Sequence, residues 1–402
     1  MKTLYQEVEK QLNAHLPQEW HVELRRRLSL LVNGIIFSES CSPRHIAQAL
    51  FQHGLSSAQE ASIERQIRRI ENDERLNTRQ CVDPFVKHHL AHLQEVVVII
   101  DATTHTDRHF LLMVSVRYRG RALPIAWQLW PANKPLKGAG FWKRVGQLLA
   151  SVADILPKGA FVTWLADRAF GTPRFTDQLQ AYGWHFVVRV QGQTRFRDQI
   201  GREYRMDELA VGRKRRRFKG CGSVFKACGW RSLSVVCLHA HHRSGPLCLV
   251  SDLAPGWHLR RLYRFRYNIE TLFRDYKSQG WHWENNQVYD LNHTQTLLVG
   301  LALATWLTLM VGTQVAHELL SRPSTGQRRT SPPKRSLFAL GLARLKQWAV
   351  GNCRRPLAFW LTDWLAPNWH DQLLQHHRYA YVMGTLSSIV KLHHYLHATV
   401  RP

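Results

Sequence analysis

Residues 95–130 read EVVVIIDATTHTDRHFLLMVSVRYRGRALPIAWQLW and contain three runs of strand-forming residues, at 96–101, 109–118 and 122–130. Short polar turns separate these runs, so the sequence predicts three consecutive strands that pair as a meander. Downstream, the pattern predicts a helix at about 140–155, a strand at 161–167, a helix at about 173–182 and a strand at 184–190.

This order of elements, βββαβαβ, is that of a ribonuclease-H-like core, which is an α/β fold with a mixed sheet and packed helices. Residues 191–255 break the rhythm with Gly, Arg and short alternating runs, and they are interpreted as a β-rich insertion within the core. The insertion includes the basic run RKRRRFK at 213–219, where Arg215, Arg216 and Arg217 are candidate contacts to the DNA backbone. A solvated basic loop is the alternative.

Two aspartates end apolar strand-forming runs, Asp101 after VVVII and Asp167 after FVTWLA. A charged residue in such a place is expected at a strand tip, because burial in the core would cost stability. If the two strands are neighbours, the carboxylates repel each other unless a cation neutralises them. Mg²⁺ prefers such oxygen ligands, and two ions can support in-line phosphoryl transfer. Ordinary turn chemistry is the alternative for each aspartate.

A helix predicted at about 258–280 carries one polar stripe. Tyr263, Arg266, Glu270 and Lys277 lie at offsets of 0, 3, 7 and 14 residues, which fall within an arc of roughly 60° at 3.6 residues per turn. The apolar residues of the helix centre to one side of this stripe, so a carboxylate there flanks the buried face. The alternative is a surface helix with an i,i+4 Arg–Glu pair.

These four residues match the pattern Y-x2-R-x3-E-x6-K at every position. The chain therefore resembles the DDE transposases of the bacterial insertion-sequence-four type. DRAFG at 167–171 is similar to that family's second-aspartate motif, and IIDATTH around Asp101 is similar to the first. Tyr267 stands where the family often has Trp. The resemblance covers about residues 90–285 and gives the catalytic, metal-binding triad as Asp101, Asp167 and Glu270.

The resemblance also implies a ribonuclease-H-like fold, two Mg²⁺ ions with Mn²⁺ as a substitute, and binding to the terminal inverted repeats of an element. It implies excision and insertion of that element by a homodimer on DNA. By the family pattern, Tyr263, Arg266 and Lys277 grip DNA phosphates near the scissile bond, and charge supports Arg266 and Lys277 independently. Trp230 is the candidate for holding a flipped base in a hairpin mechanism, with a core position as the alternative.

The charge of the whole chain points to a polyanionic partner. The 55 Lys and Arg residues outnumber the 29 Asp and Glu residues and give a net charge of +26, and such basic chains bind nucleic acid by releasing counterions. Residues 43–72 predict two short helices in the outline of a helix-turn-helix. The second would expose Arg65, Arg68 and Arg69 to DNA, and an ordinary helical hairpin is the alternative.

Other features favour a cytoplasmic protein, and the resemblance implies that it is bacterial and nucleoid-associated. The N-terminus lacks the apolar core of a signal peptide, and none of the seven cysteines forms a C-x-x-C pair. Residues 297–315 are apolar enough to reach membrane-spanning length, but their Thr, Gly and Gln content favours a buried core helix. The histidine clusters at 88–92 and 239–242 are assigned structural or DNA-contacting roles, and Asp107 is a reserve carboxylate.

The predicted organisation is a helical DNA-binding region at 1–85, a catalytic core at 86–320 with the insertion at 191–255, and a basic linker with a helical region at 321–402. The predicted function is a DNA transposase of an insertion sequence that acts on double-stranded DNA at element ends and at a target. The alternatives are a nuclease on the same core without strand transfer, and a basic DNA-binding protein with an inactive site.

Overall fold

A computed structural model of the chain describes residues 4–54, 56, 58–105, 108–210, 217–239, 245–286, 288–321, 335–351, 356–362, 364 and 366. The chain divides into two compact units, Met1–Trp306 and Leu307–Pro402. Everything that bears on the site below lies in the first unit.

Six helices precede the sheet: α1 (Leu4–Asn13), α2 (Val22–Ser38), α3 (Pro43–Gln52), α4 (Glu60–Glu71), α5 (Thr78–Cys81) and α6 (Asp83–Leu90). The predicted pair at 43–72 is confirmed as α3 and α4. Helix α4 buries Ile63, Ile67 and Ile70 at helical spacing, because these positions share one face. Gly34 lets α2 and α3 approach closely, since a Cβ there would collide with Ile46.

The predicted βββαβαβ order is confirmed. It consists of β1 (Glu95–His105), β2 (His109–Tyr118), β3 (Arg121–Pro131), α7 (Gly138–Ile155), β4 (Phe161–Ala166), α8 (Pro173–Ala181) and β5 (His185–Arg189). Strands β1, β2 and β3 pair antiparallel, while β1, β4 and β5 run parallel. The spatial order is therefore β3-β2-β1-β4-β5, and β1 is central.

Residues 191–255 supply five further strands: β6 (Arg195–Arg197), β7 (Glu203–Arg205), β8 (Arg217–Val224), β9 (Arg231–Leu238) and β10 (Leu247–Ser251). Strand β10 pairs with both β5 and β9. These strands therefore extend the same sheet to ten strands, in the order β3-β2-β1-β4-β5-β10-β9-β8-β6-β7. Arg215 and Arg216 lie outside the described residues, whereas Arg217 begins β8.

The helical segment after the sheet changes its winding three times, where the sequence predicts one regular helix. It consists of α9 (Trp257–Tyr263), a 3₁₀ turn (Arg264–Arg266), α10 (Tyr267–Arg274) and a π-helical turn (Asp275–Gln279). Asp275 is buried and ion-paired with Arg121. The change to π winding comes where this long-range pair forms, and π turns are frequent at functional sites.

The long apolar helix α11 spans Leu291–Leu320. By length and composition this helix could cross a membrane, and its most apolar window is fully buried within the protein. The burial predicted for residues 297–315 is confirmed at nearly every position. In the second unit, α12 (Leu337–Ala349) packs on the end of α11, and Arg344 pairs with Glu318 at 2.8 Å.

Candidate active site

Two aspartates lie side by side at the carboxyl end of the parallel strands. The last paired residues of β1 and β4 are Ile100 and Ala166, so Asp101 and Asp167 are the next residues on neighbouring strands. The prediction that Asp101 ends its strand is wrong. Strand β1 continues to His105, because β2 remains paired with it beyond Asp101. Only the pairing with β4 stops there.

A tight turn fixes Asp167. Its carboxylate accepts a hydrogen bond from the backbone N–H of Ala169 at 2.8 Å and caps a 3₁₀ turn. Gly171 then passes so close to β5 that a Cβ would collide with the carbonyl oxygen of Arg189. The glycine of the DRAFG motif therefore holds the Asp167 turn against the sheet.

Arg266 joins the first aspartate to the glutamate of α10. One guanidinium nitrogen donates to Asp101 at 2.8 Å, and the other donates to Glu270 at 2.6 Å. The side chains of Arg266 and Asp101 are 13% and 17% exposed, whereas Glu270 is 47% exposed. Glu270 thus faces solvent at the mouth of the site, and the other two side chains form its floor.

At the base of the site, the carboxylates of Asp101 and Asp167 lie near a single cation, Arg266. Burial raises the pKa of Asp101, the charge of Arg266 opposes this rise, and the nearby charge of Asp167 adds to it. Burial alone would lower the pKa of Arg266, but Asp101, Tyr263 and Glu270 together raise it. A further cation near Asp101 would stabilise the ionised form of its carboxylate.

Tyr263 and Lys277 sit differently from the regular stripe predicted for them. Tyr263 is only 4% exposed, and burial raises its pKa to about 12. The charges of Arg189 and Asp167 also act on its phenol, so it borders the carboxylates. Lys277 lies on the π-helical turn, with its Nζ 3.7 Å from a carboxylate oxygen of Glu284.

The donor set suits a hard divalent cation. Asp101 and Asp167 present oxygen ligands on adjacent strands, and Glu270 is held over them through Arg266. Within the described part of the chain, no three acidic, His or Cys side chains are already gathered closely enough to hold a metal. Arg266 instead supplies the positive charge between Asp101 and Glu270.

The remaining candidates are spread over the first unit. Arg65, Arg68 and Arg69 are exposed on α4, and Arg68 pairs with Glu64 at 2.8 Å. Trp230 precedes β9, and its ring lies 4.6 Å from the guanidinium carbon of Arg197. His88 and His89 pack against the ring of His15. Asp107, His241 and His242 lie outside the described residues.

Sequence reasoning missed two features of this region. One is the close approach at Gly171, for which the DRAFG motif itself was the available signal. The other is a set of exposed arginines on both sides of the tyrosine at 263, namely Arg260, Arg261 and Arg264. Their signal was the run HLRRLYR at 258–264, whose basic residues were not considered.

Comparison with known protein families gives one match. A family model described as "Transposase DDE domain" matches residues 92–307, which is more than half of the chain. The matched segment begins just before β1 and ends within α11, so it contains Asp101, Asp167 and Glu270. No match was found among curated proteins.

Proposed function

Because the chain belongs to the transposase DDE domain family, whose core is ribonuclease-H-like and whose members generally use divalent metal ions, we propose that it cuts and joins DNA at the ends of a mobile element. Asp101, Asp167 and Glu270 are the proposed catalytic carboxylates. The proposed element is a bacterial insertion sequence of the insertion-sequence-four type, moved by a cut-and-paste reaction.

The observation that carries this proposal is the pair of bonds from Arg266 to Asp101 and Glu270, at 2.8 and 2.6 Å. A surface helix would show only the i,i+4 pair between Arg266 and Glu270. The additional bond reaches across 165 residues to the strand that carries Asp101. It brings the helix glutamate to the same end of the sheet as both aspartates.

In this proposal the three carboxylates hold two Mg²⁺ ions, and Mn²⁺ can substitute for Mg²⁺. Such ions activate an attacking hydroxyl and stabilise the leaving 3′ oxygen during in-line phosphoryl transfer. Arg266 is held between carboxylates in the DNA-free protein, and DNA phosphates compete for the same guanidinium. Arg266 then positions the backbone beside the scissile phosphate, together with Tyr263 and Lys277.

The proposed partners are the terminal inverted repeats of the element, its target DNA and a second copy of the chain. The net charge of +26 supports a double-stranded DNA substrate. Arg65, Arg68 and Arg69 on α4, with Arg215, Arg216 and Arg217, are proposed as further contacts to DNA. The region at 1–85 is proposed to bind DNA beside the catalytic core at 86–320.

The test is cleavage of a supercoiled plasmid that carries the element's own ends, in Mg²⁺, by wild type and by Glu270→Gln. The substitution preserves size, and the half-exposed side chain of Glu270 remains able to accept a hydrogen bond from Arg266, so the variant is expected to fold. Glu95→Gln is the matched control, because Glu95 is exposed at the opposite end of β1.

Wild type and Glu95→Gln are expected to cut at the element ends and to join the 3′-hydroxyl ends to a target, and Glu270→Gln is expected to do neither. Cleavage without joined products would indicate a nuclease instead. Equal DNA binding with no cleavage by wild type in Mg²⁺ or Mn²⁺ would contradict the enzymatic proposal.

A further inference from the structure

A basic cleft lies where β8 and β9 meet α9. It has a volume of about 190 Å³ and is lined by Arg217, Leu238, Trp257, Arg260, Arg261 and Arg264. All four arginines are exposed. None of the four forms an ion pair with another residue that the structure describes, and no acidic residue in that part of the chain lines the cleft. Four neighbouring guanidinium groups without a counter-charge strongly favour an anionic ligand.

The apolar side of the cleft indicates which class of anion fits it. Trp257 and Leu238 form a wall, and the guanidinium carbon of Arg217 lies 6.0 Å from the centre of the Trp257 ring. A free phosphate ion would use only the arginines. A nucleotide chain uses both surfaces, because its phosphates pair with arginine while its sugars and bases pack on aromatic rings.

The sheet places the cleft at the catalytic end. One row of paired residues crosses six strands through Ile100, Ala166, Val188, Val250, Val235 and Gly220. Asp101 and Asp167 each lie one residue beyond this row. Leu238 and its partner Arg217 lie three residues beyond it in the same direction. The cleft and the carboxylates therefore open at the same end of one sheet.

The helical segment gives the separation along the path. Arg260 and Arg264 precede Glu270 by ten and six residues, which is about 15 and about 9 Å at a helical rise of about 1.5 Å per residue. One DNA strand advances about 3.4 Å per nucleotide. For a DNA strand that runs along this segment, the cleft lies about three to five nucleotides from a phosphate bound at the carboxylates.

We propose that this arginine cleft binds the DNA backbone about three to five nucleotides from the scissile phosphate, with Trp257 packing against a sugar or base. The inference rests on the proposed function, because the scissile phosphate defines the position. It assigns Arg217, Arg260, Arg261 and Arg264 as substrate-positioning residues of the same reaction. The distance between the cleft and the carboxylates, and the direction of the DNA strand, follow from the helical segment that begins with α9 at the cleft and continues to Glu270.

The test uses duplexes that carry the element's end with single neutral methylphosphonates at successive positions around the cleavage point. Binding is measured for wild type, for Arg260→Ala/Arg264→Ala and for Lys158→Ala. Lys158 is an exposed cation just before β4, at the opposite end of the sheet. Melting curves of all three proteins check that they fold. The substitutions are at exposed side chains and are not expected to change the melting temperature.

We expect neutralisation at about three to five nucleotides to weaken wild-type binding about fivefold. The double variant should lose most of this sensitivity to neutralisation, because only Arg217 and Arg261 remain in the cleft, and its salt slope should fall by about 2. Lys158→Ala should respond as wild type does. The cleft assignment would be overturned if neutralisation at those positions weakened binding by the double variant as much as by wild type, or did not weaken wild-type binding. Either result would leave the proposed function standing. Absence of DNA binding and cleavage by wild type would overturn the proposed function together with the cleft assignment.

Discussion

Arg266 donates to the carboxylate of Asp101 at 2.8 Å, and this bond ties the start of α10 to strand β1. Both side chains are mostly buried, at 13% and 17% exposure. The same guanidinium binds Glu270. Without bound DNA, one arginine thus neutralises two of the three carboxylates that the proposed reaction requires, and it must share or release them when other cations arrive.

Arg266→Ala should destabilise the metal-free protein by about 2 kcal/mol, because the mostly buried carboxylate of Asp101 loses its cation. Mg²⁺ should then raise the melting temperature of the variant more than that of wild type, since the ion replaces the lost charge. Thermal unfolding with EDTA and with Mg²⁺ measures both effects. Arg202→Ala, at an exposed arginine, is the control and should stay within about 0.5 kcal/mol of wild type. An unchanged melting temperature for Arg266→Ala would contradict the bridging role.

Asp101→Asn should change how stability depends on pH. Burial raises the pKa of Asp101 above its ordinary value of 3.8, despite the opposing charge of Arg266. The folded protein therefore holds this proton more tightly than the unfolded chain, which stabilises the fold at low pH. That contribution is lost as pH rises through the raised pKa.

In EDTA, the stability of Asp101→Asn relative to wild type should therefore increase from about pH 4 towards about pH 7. Urea unfolding across that range measures the difference. A relative stability that falls with rising pH would show that the ionised carboxylate is net stabilising in the fold, and would reverse the assignment of its environment.

Gly171→Ala should impair the reaction more than it impairs folding. The new Cβ would collide with the carbonyl oxygen of Arg189 and lie 3.0 Å from the Cα of Val190. The turn that carries Asp167 must then shift, which should cost about 1 to 3 kcal/mol and slow cleavage by about 100-fold. Gly146→Ala on α7 meets only ordinary contacts and is the control. Full cleavage by Gly171→Ala would show that Asp167 tolerates this displacement.

Glu284→Gln should strengthen DNA binding by a few-fold, because Glu284 holds Lys277 at 3.7 Å and competes with phosphate for it. Lys277→Ala should weaken binding by a similar factor. In the Lys277→Ala background, Glu284→Gln should have a much smaller effect. Equal effects of Glu284→Gln with and without Lys277 would indicate that the two residues act independently.

The strands of the core followed from local patterns, since alternating and continuous apolar runs indicate β1 to β5 without knowledge of their partners. The register between β1 and β4 did not, because pairing is set by packing across the sheet. The same limit explains the error at Asp101. Its apolar run ends there, but β2 continues the hairpin to His105.

The site was predictable in its residue types and not in its contacts. The spacing of Arg266 and Glu270 allows an i,i+4 pair, which the sequence offered only as the surface-helix alternative, whereas the bond to Asp101 depends on how α10 crosses the sheet. The π-helical turn under Lys277 accompanies the pairing of Asp275 with Arg121, two residues far apart in sequence. The arginine cleft likewise joins Arg217 of β8 to α9 through strand pairing that no local pattern reveals.

The central claim is that Asp101, Asp167 and Glu270 act as one metal-dependent site. The most direct measurement compares the rate of Mg²⁺-dependent cleavage at element ends for Asp101→Asn, Asp167→Asn, Glu270→Gln and the triple variant. Groups that act as a unit give strongly non-additive losses, so each single variant should fall to the same residual rate as the triple variant. Independent losses that multiply in the triple variant, or any single variant that cuts at the wild-type rate, would contradict the account.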